Sequence, residues 1–198
     1  MGRDAVNRLH HWYCNRDAWK RHVRDELVPP AIDGIDLGAD VLEIGPGFGP
    51  ATELLAGRVA RLTALEIDAG LAGALRERLG GGATIMDGDA TAMPFPEASF
   101  DSAVCFTMLH HVPTVEGQDA LFAEVRRVLR PGGVFAGTDS VGRGVGFALL
   151  HVGDTKNLIA PDELPERLAA AGFAEIEVSA ERDSYRFRAK CTGNRSVS

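Results

Sequence analysis

Apolar residues along the chain fall into short runs separated by longer stretches in which they recur every three or four positions. The short runs, near 40–45, 61–66, 82–87, 101–107 and 133–139, read as buried strands. The intervals read as helices, the clearest from Gln118 to Arg130, where Leu121, Phe122, Val125, Val128 and Leu129 share one face. Such alternation is the signature of a parallel sheet covered by helices. Further on, Asp162 to Ala171 reads as a helix closed by Gly172. Phe173 to Val178 and Tyr185 to Ala189 then alternate apolar and charged residues about a turn at Glu181 to Ser184, which predicts a hairpin.

The segment before the first strand differs. Val6, Leu9, Trp12 or Tyr13, Trp19, Val23 and Leu27 form a stripe at helical spacing, with Asn15 as a cap between two helices and Pro29-Pro30 as their end. Three parts are expected: a helical cap over 1–30, one α/β domain over 31–191, and a disordered tail over 192–198. At 198 residues the chain suits a single core.

The chemistry begins at Val41-Leu42-Glu43-Ile44-Gly45-Pro46-Gly47-Phe48-Gly49, an apolar strand breaking into alternating glycines, with Pro50 opening a helix. Without Cβ atoms the backbone can turn sharply and approach a ligand. Glu66 ends the next strand, where a carboxylate can accept both hydroxyl hydrogens of a ribose. Dinucleotides and S-adenosylmethionine (SAM) are both held by this device. The dinucleotide fingerprint wants a third small residue where this chain has Pro50, and here the glycines run Gly-x-Gly-x-Gly.

On these residues the chain resembles the class I SAM-dependent methyltransferases. Asp87 to Phe95, Ser99 to Phe106 and Val128 to Phe135 follow in the order of that family's motifs. The resemblance is closest in kind to small-molecule enzymes similar to the ubiquinone/menaquinone-biosynthesis methyltransferases. It implies a single Rossmann-like α/β domain with a seven-stranded, mostly parallel sheet, an antiparallel last strand, helices on both faces and an N-terminal helical extension. It further implies SAM as cofactor and S-adenosylhomocysteine as product. The cofactor residues it points to are Glu43, Gly45, Pro46, Gly47, Gly49, Glu66, Ile67, Asp89, Ala90 and Phe106. Asp89 would bond the adenine amino group and the backbone at Ala90 its ring edge. By its residues alone, Asp89 equally suits an Asx turn.

The methyl acceptor is expected outside the carboxyl ends of the fourth and fifth strands. Histidine is the side chain suited by type to a general base, which makes His110 and His111 candidates, and Asp139 is a further one. Trp12, Tyr13, His110, Phe147 and His151 are candidates for the acceptor pocket, while packing explains the tryptophans equally well. The net charge of −7 disfavours nucleic acid as a partner, and no apolar run approaches the roughly 20 residues that span a bilayer. Charged residues interrupt any signal-like segment near the N-terminus, so a cytoplasmic location is expected. Cys14, Cys105 and Cys191 have no metal-ligand spacing, and no metal is expected. The expected activity is methyl transfer to a small organic acceptor. The alternatives are SAM binding without transfer, a nicotinamide (NAD)-dependent oxidoreductase, or methylation of protein. The sequence leaves the oligomeric state open.

Overall fold

The computed structural model describes residues 12–142 and 156–192. Seven strands, Asp40–Ile44 (β1), Arg61–Glu66 (β2), Thr84–Asp87 (β3), Phe100–Phe106 (β4), Leu129–Ser140 (β5), Phe173–Ala180 (β6) and Ser184–Cys191 (β7), form one sheet. Their order is β3-β2-β1-β4-β5-β7-β6. β1 to β5 pair in parallel, and β7 runs antiparallel to both β5 and β6. The chain reverses its direction of build between β1 and β4, and in open α/β sheets ligands lie at such a switch point, outside the carboxyl ends of the strands.

Helices Asp17–His22 (α1), Val28–Ile32 (α2), Pro50–Ala56 (α3), Ala69–Leu79 (α4), Val115–Val128 (α5) and Leu164–Ala170 (α6) cover the sheet. Leu121, Phe122, Val125 and Val128 of α5 join Phe135, Phe187 and Leu168 in the larger core cluster. A second cluster sets Val23, Val28, Ala31 and Leu55 against Val41, Val104 and Phe106 of the sheet. The N-terminal segment thus shares the core through its apolar stripe.

The cap before α1 is Arg16, with no side-chain cap bond, rather than Asn15. Among the boundaries that differ from the sequence reading, two have a plain physical cause. Pro29 and Pro30 do not end the N-terminal helix. A π-helical turn, Val23–Leu27, intervenes, and the prolines then occupy the first turn of α2, where a missing amide hydrogen costs nothing. α5 stops at Val128 rather than Arg130. Leu129 already pairs with Phe100, after which the register jumps to Ser102 opposite Val134, so Arg130 to Gly133 bulge out. A Cβ on Gly133 would stand 2.7 Å from the Asp101 carbonyl oxygen. At this amino end of the sheet, Asp101 accepts the Ala39 and Asp40 amide hydrogens at 2.9 Å each, and Arg130 bridges Asp101 and Asp40 at 2.6 and 3.1 Å. An open groove of about 650 Å³ lies here too, lined by Pro30, Ile35, Leu37 and Arg58, at the opposite end of the strands from the site described next.

Candidate active site

The glycine turn after β1 is built from left-handed backbone. Gly45, Gly47 and Gly49 have φ of 64°, 54° and 77°. Gly49 also needs its lack of a side chain, since a Cβ would lie 2.3 Å from Leu75 and 2.7 Å from Arg78 of α4. A Cβ on Gly47 would meet nothing, so its backbone faces open space. The turn closes through the Gly49 amide on the buried Pro46 carbonyl at 2.8 Å. Arg78 braces it from outside by donating to the Phe48 carbonyl at 2.5 Å and to Glu53 at 2.8 Å.

Glu66 stands at the end of β2, 5% exposed, with Gly47 N–H donating to Oε2 at 2.9 Å and Asp68 N–H to Oε1 at 3.0 Å. Each oxygen of a carboxylate has a second lone pair, so both retain capacity for a ligand's hydroxyls. Burial raises its pKa, and the two amide donors oppose that rise. Beside it the Ile67 side chain is 70% exposed, an apolar surface at the lip of the site. Glu43, inside β1, is 1% exposed, and its Oε2 has no hydrogen-bond partner among the described residues. Burial, with the nearby charge of Glu66 adding to it, pushes this carboxyl up to about 8.

At the end of β4, Thr107 adopts φ 53°, a strained conformation for a β-branched residue, with its amide donating to the Thr138 carbonyl at 2.8 Å. Met108 follows, its side chain packed close to Gly45. The short helical turn Leu109–His111 then brings His110 onto Asp139 at the end of β5. The Asp139 carboxylate accepts the His110 amide hydrogen at 2.9 Å and faces His110 Nδ1 at 2.5 Å, and both side chains are buried. Behind them the fully buried Gln118 donates to the Leu109 and Asn157 carbonyls at 3.0 and 2.6 Å, and Asn157 N–H donates to the His110 carbonyl at 2.9 Å.

Residues 42–137 match the family model of the methyltransferase domain. An uncharacterized methyltransferase of Geobacillus kaustophilus is 31% identical over 151 residues, covering 70% of this chain and 68% of that protein. The chain belongs to the class I SAM-dependent methyltransferases. A sterol 24-C-methyltransferase of Gibberella zeae is 40% identical over 108 residues, which are 52% of this chain and only 28% of that enzyme. A SAM-dependent methyltransferase structure from Aquifex aeolicus, 15% identical, shares the fold with a TM-score of 0.71, covering 87% of this chain and 93% of that one.

Against the family's motifs, the structure brings Gly45, Gly47, Gly49, Glu43, Glu66 and Ile67 to one end of β1 and β2. Asp89 is exposed, and its Oδ1 accepts from both the amide and the hydroxyl of Thr91 at 2.8 Å, the geometry of an Asx turn. Ala90 is half-buried, and Phe106 is buried toward Val23 and Val104. His110 and Asp139 are in direct contact, and the His111 ring lies 4.1 Å from that of His110. Tyr13 packs on Trp19 at 5.4 Å, while Trp12 is 57% exposed under the Arg16 guanidinium. Phe147 and His151 lie outside the described residues. Thr107 and Met108 fall in the segment after the fourth strand that the sequence marks for the acceptor, and sequence reasoning missed Gln118 and Arg78 as parts of the site. Only Gln118, a polar residue on the apolar face of α5, left a signal that could have been noticed.

Proposed function

We propose that this chain transfers a methyl group from SAM to a small organic acceptor by in-line displacement. The observation that carries the reading is Glu66, held by the Gly47 and Asp68 amides at the end of β2 with lone pairs to spare, beside the exposed Ile67. A ribose fits that carboxylate. The purine fits between Ile67 and the Asp89–Ala90 backbone, and the methionine half fits the open backbone at Gly47. When bound, SAM supplies a methyl on a sulfonium, a leaving group that needs no activation by the protein. The chain's own contribution is alignment and exclusion of water.

We take His110 as the candidate base for an acceptor that must lose a proton, with Asp139 holding its imidazole through Nδ1. His111, its ring tilted against that of His110, and Trp12 and Tyr13 of the N-terminal segment would line the acceptor side, with Phe147 and His151 as further candidates. A small acceptor is supported by the sterol enzyme among the relatives, whose own substrate is a small organic molecule by its name. The acidic balance of −7 supports a protein that works away from nucleic acid, and we place it in the cytoplasm. Among the described residues no helix is long and apolar enough to cross a membrane.

The test is transfer of label from methyl-labelled SAM into a cell extract separated into small molecules, protein and nucleic acid. Label in the small-molecule fraction, lost with Glu66→Ala, supports the reading. Label in protein or nucleic acid contradicts the acceptor class, and SAM binding without transfer to any fraction contradicts the activity.

A further inference from the structure

Ile67, Val115, Leu158 and Trp12 are the large apolar side chains that stand exposed among the described residues. Trp12 belongs to the N-terminal segment and lies under the Arg16 guanidinium. The other three gather at the end of the sheet that holds the site. Ile67 directly follows β2, Val115 opens α5 after the turn that follows β4, and Leu158 packs on Gly142, just beyond β5. Isolated apolar side chains on a surface need no explanation, whereas a group of them with a polar rim marks a place where something binds. In the SAM reading the purine covers Ile67. That reading gives Val115 and Leu158, 49% and 39% exposed, no ligand to cover them.

Both are fixed in place around the His110 turn. Asn157, next to Leu158, donates its amide hydrogen to the His110 carbonyl at 2.9 Å. Its own carbonyl accepts from Gln118 at 2.6 Å, one turn along α5 from Val115. The Val115 carbonyl accepts from Arg167 at 3.0 Å. Toward the cofactor the border continues through Val141 and Met108, both partly buried, with Met108 against Gly45 of the glycine turn. Asp139 and Arg167, charged groups along this border, are engaged inside the protein: the carboxylate accepts from His110 and Ser140, and the guanidinium donates to Asp119, Gln118 and Val115. Glu116 and Lys156, exposed and of opposite sign, stand at the rim.

Such a border holds a ligand by taking apolar area out of water, and it offers little to a strongly hydrated one. We propose that the methyl acceptor has an aliphatic body, chain or ring, which lies on Leu158 and Val115, with the atom to be methylated directed past Met108 toward the glycine turn. The inference rests on the SAM reading of the site. It narrows the acceptor from small organic molecules in general to lipid-soluble ones.

The test sorts acceptors before they react. The small molecules of a cell extract are partitioned between water and hexane, and each pool is offered to the protein with methyl-labelled SAM, so that the added methyl does not decide the phase. Label should enter the hexane-soluble pool. Leu158→Asn should lower that transfer by roughly tenfold at limiting acceptor, with its SAM affinity by calorimetry within about twofold of wild type. Straight-chain alcohols from hexanol to decanol, titrated into protein saturated with S-adenosylhomocysteine, give a second reading that needs no variant. Their affinity should rise about fourfold per methylene in wild type. Label confined to the aqueous pool, or transfer to the hexane pool unaltered in Leu158→Asn, overturns the inference and leaves methyl transfer standing. Alcohol affinity independent of chain length overturns it as well. SAM bound with no label in either pool contradicts methyl transfer, and the inference falls with it. Failure of wild type to bind SAM overturns the SAM reading itself.

Discussion

The Nδ1 of His110 lies 2.5 Å from Oδ1 of Asp139, and the contact ties the turn after β4 to the end of β5 beneath the surface of the site. The same carboxylate takes the His110 and Ser140 amides at 2.9 and 2.7 Å, so it is bonded from three directions while wholly enclosed. Replacing one partner leaves the others facing a group that cannot satisfy them. Asp139→Asn should destabilise the fold by about 2–3 kcal/mol in urea unfolding. In a folded sample it should also move the imidazole proton signal of His110. An unchanged midpoint and unchanged signal would contradict the clamp.

Glu43 makes a separate prediction for the ligand-free protein. Its folded pKa, about 8, lies above the ordinary carboxyl value, so between those two values the folded chain holds a proton that the unfolded chain has lost. Stability contributed by this group is therefore present at low pH and falls as pH rises toward 8. Glu43→Gln removes the dependence and should be more stable than wild type by on the order of 2 kcal/mol at pH 8, with the two converging near pH 5. Chemical unfolding at both pH values checks the sign. A variant less stable than wild type at pH 8 would contradict it.

The glycines of the turn should separate by what their missing side chains avoid. Gly49→Ala places a methyl against the buried Leu75 in left-handed backbone and should cost about 2 kcal/mol or more of stability. Gly47→Ala meets open space, so only the strain of about 1 kcal/mol applies. Its methyl projects into the ligand's place, and SAM affinity should drop more than stability does. Thermal unfolding and SAM titration of the pair give the comparison.

Much of this architecture was legible because its causes are local. The glycine turn follows from backbone geometry that only certain residues permit, and Glu66 from its place at the end of a short apolar strand. The final hairpin follows from alternation, with Tyr185, Phe187 and Ala189 inward and Arg186, Arg188 and Lys190 paired outward with Glu181, Glu177 and Glu175. The partnership of His110 with Asp139 was not legible, because it joins residues 29 apart through strand order, which no periodicity encodes. Nor was the passage of the helix through Pro29 and Pro30, which depends on a π turn just before them. Thr107 gave no sign of its left-handed backbone, since threonine ordinarily avoids it.

Gln118 carries a prediction that follows from this long-range wiring. It is fully buried, donates to two carbonyls, and accepts from Arg167 at 2.7 Å. Gln118→Leu removes a donor from each of those carbonyls and one acceptor from the guanidinium, which keeps Asp119 and the Val115 carbonyl, at about 2 kcal/mol of stability. Faster amide exchange across Leu109–His111 should accompany it. Exchange unchanged in that turn would mean the turn is held by other contacts.

The most direct measurement is titration of SAM into wild type and Glu66→Ala by calorimetry, with circular dichroism to confirm that both are folded. Saturable binding by wild type and a loss of roughly 1–3 kcal/mol in the variant are expected from the removal of charge-assisted hydrogen bonds to the ribose. Equal affinity in a folded Glu66→Ala, or no binding by wild type, would contradict the assignment of this end of the sheet as the SAM site.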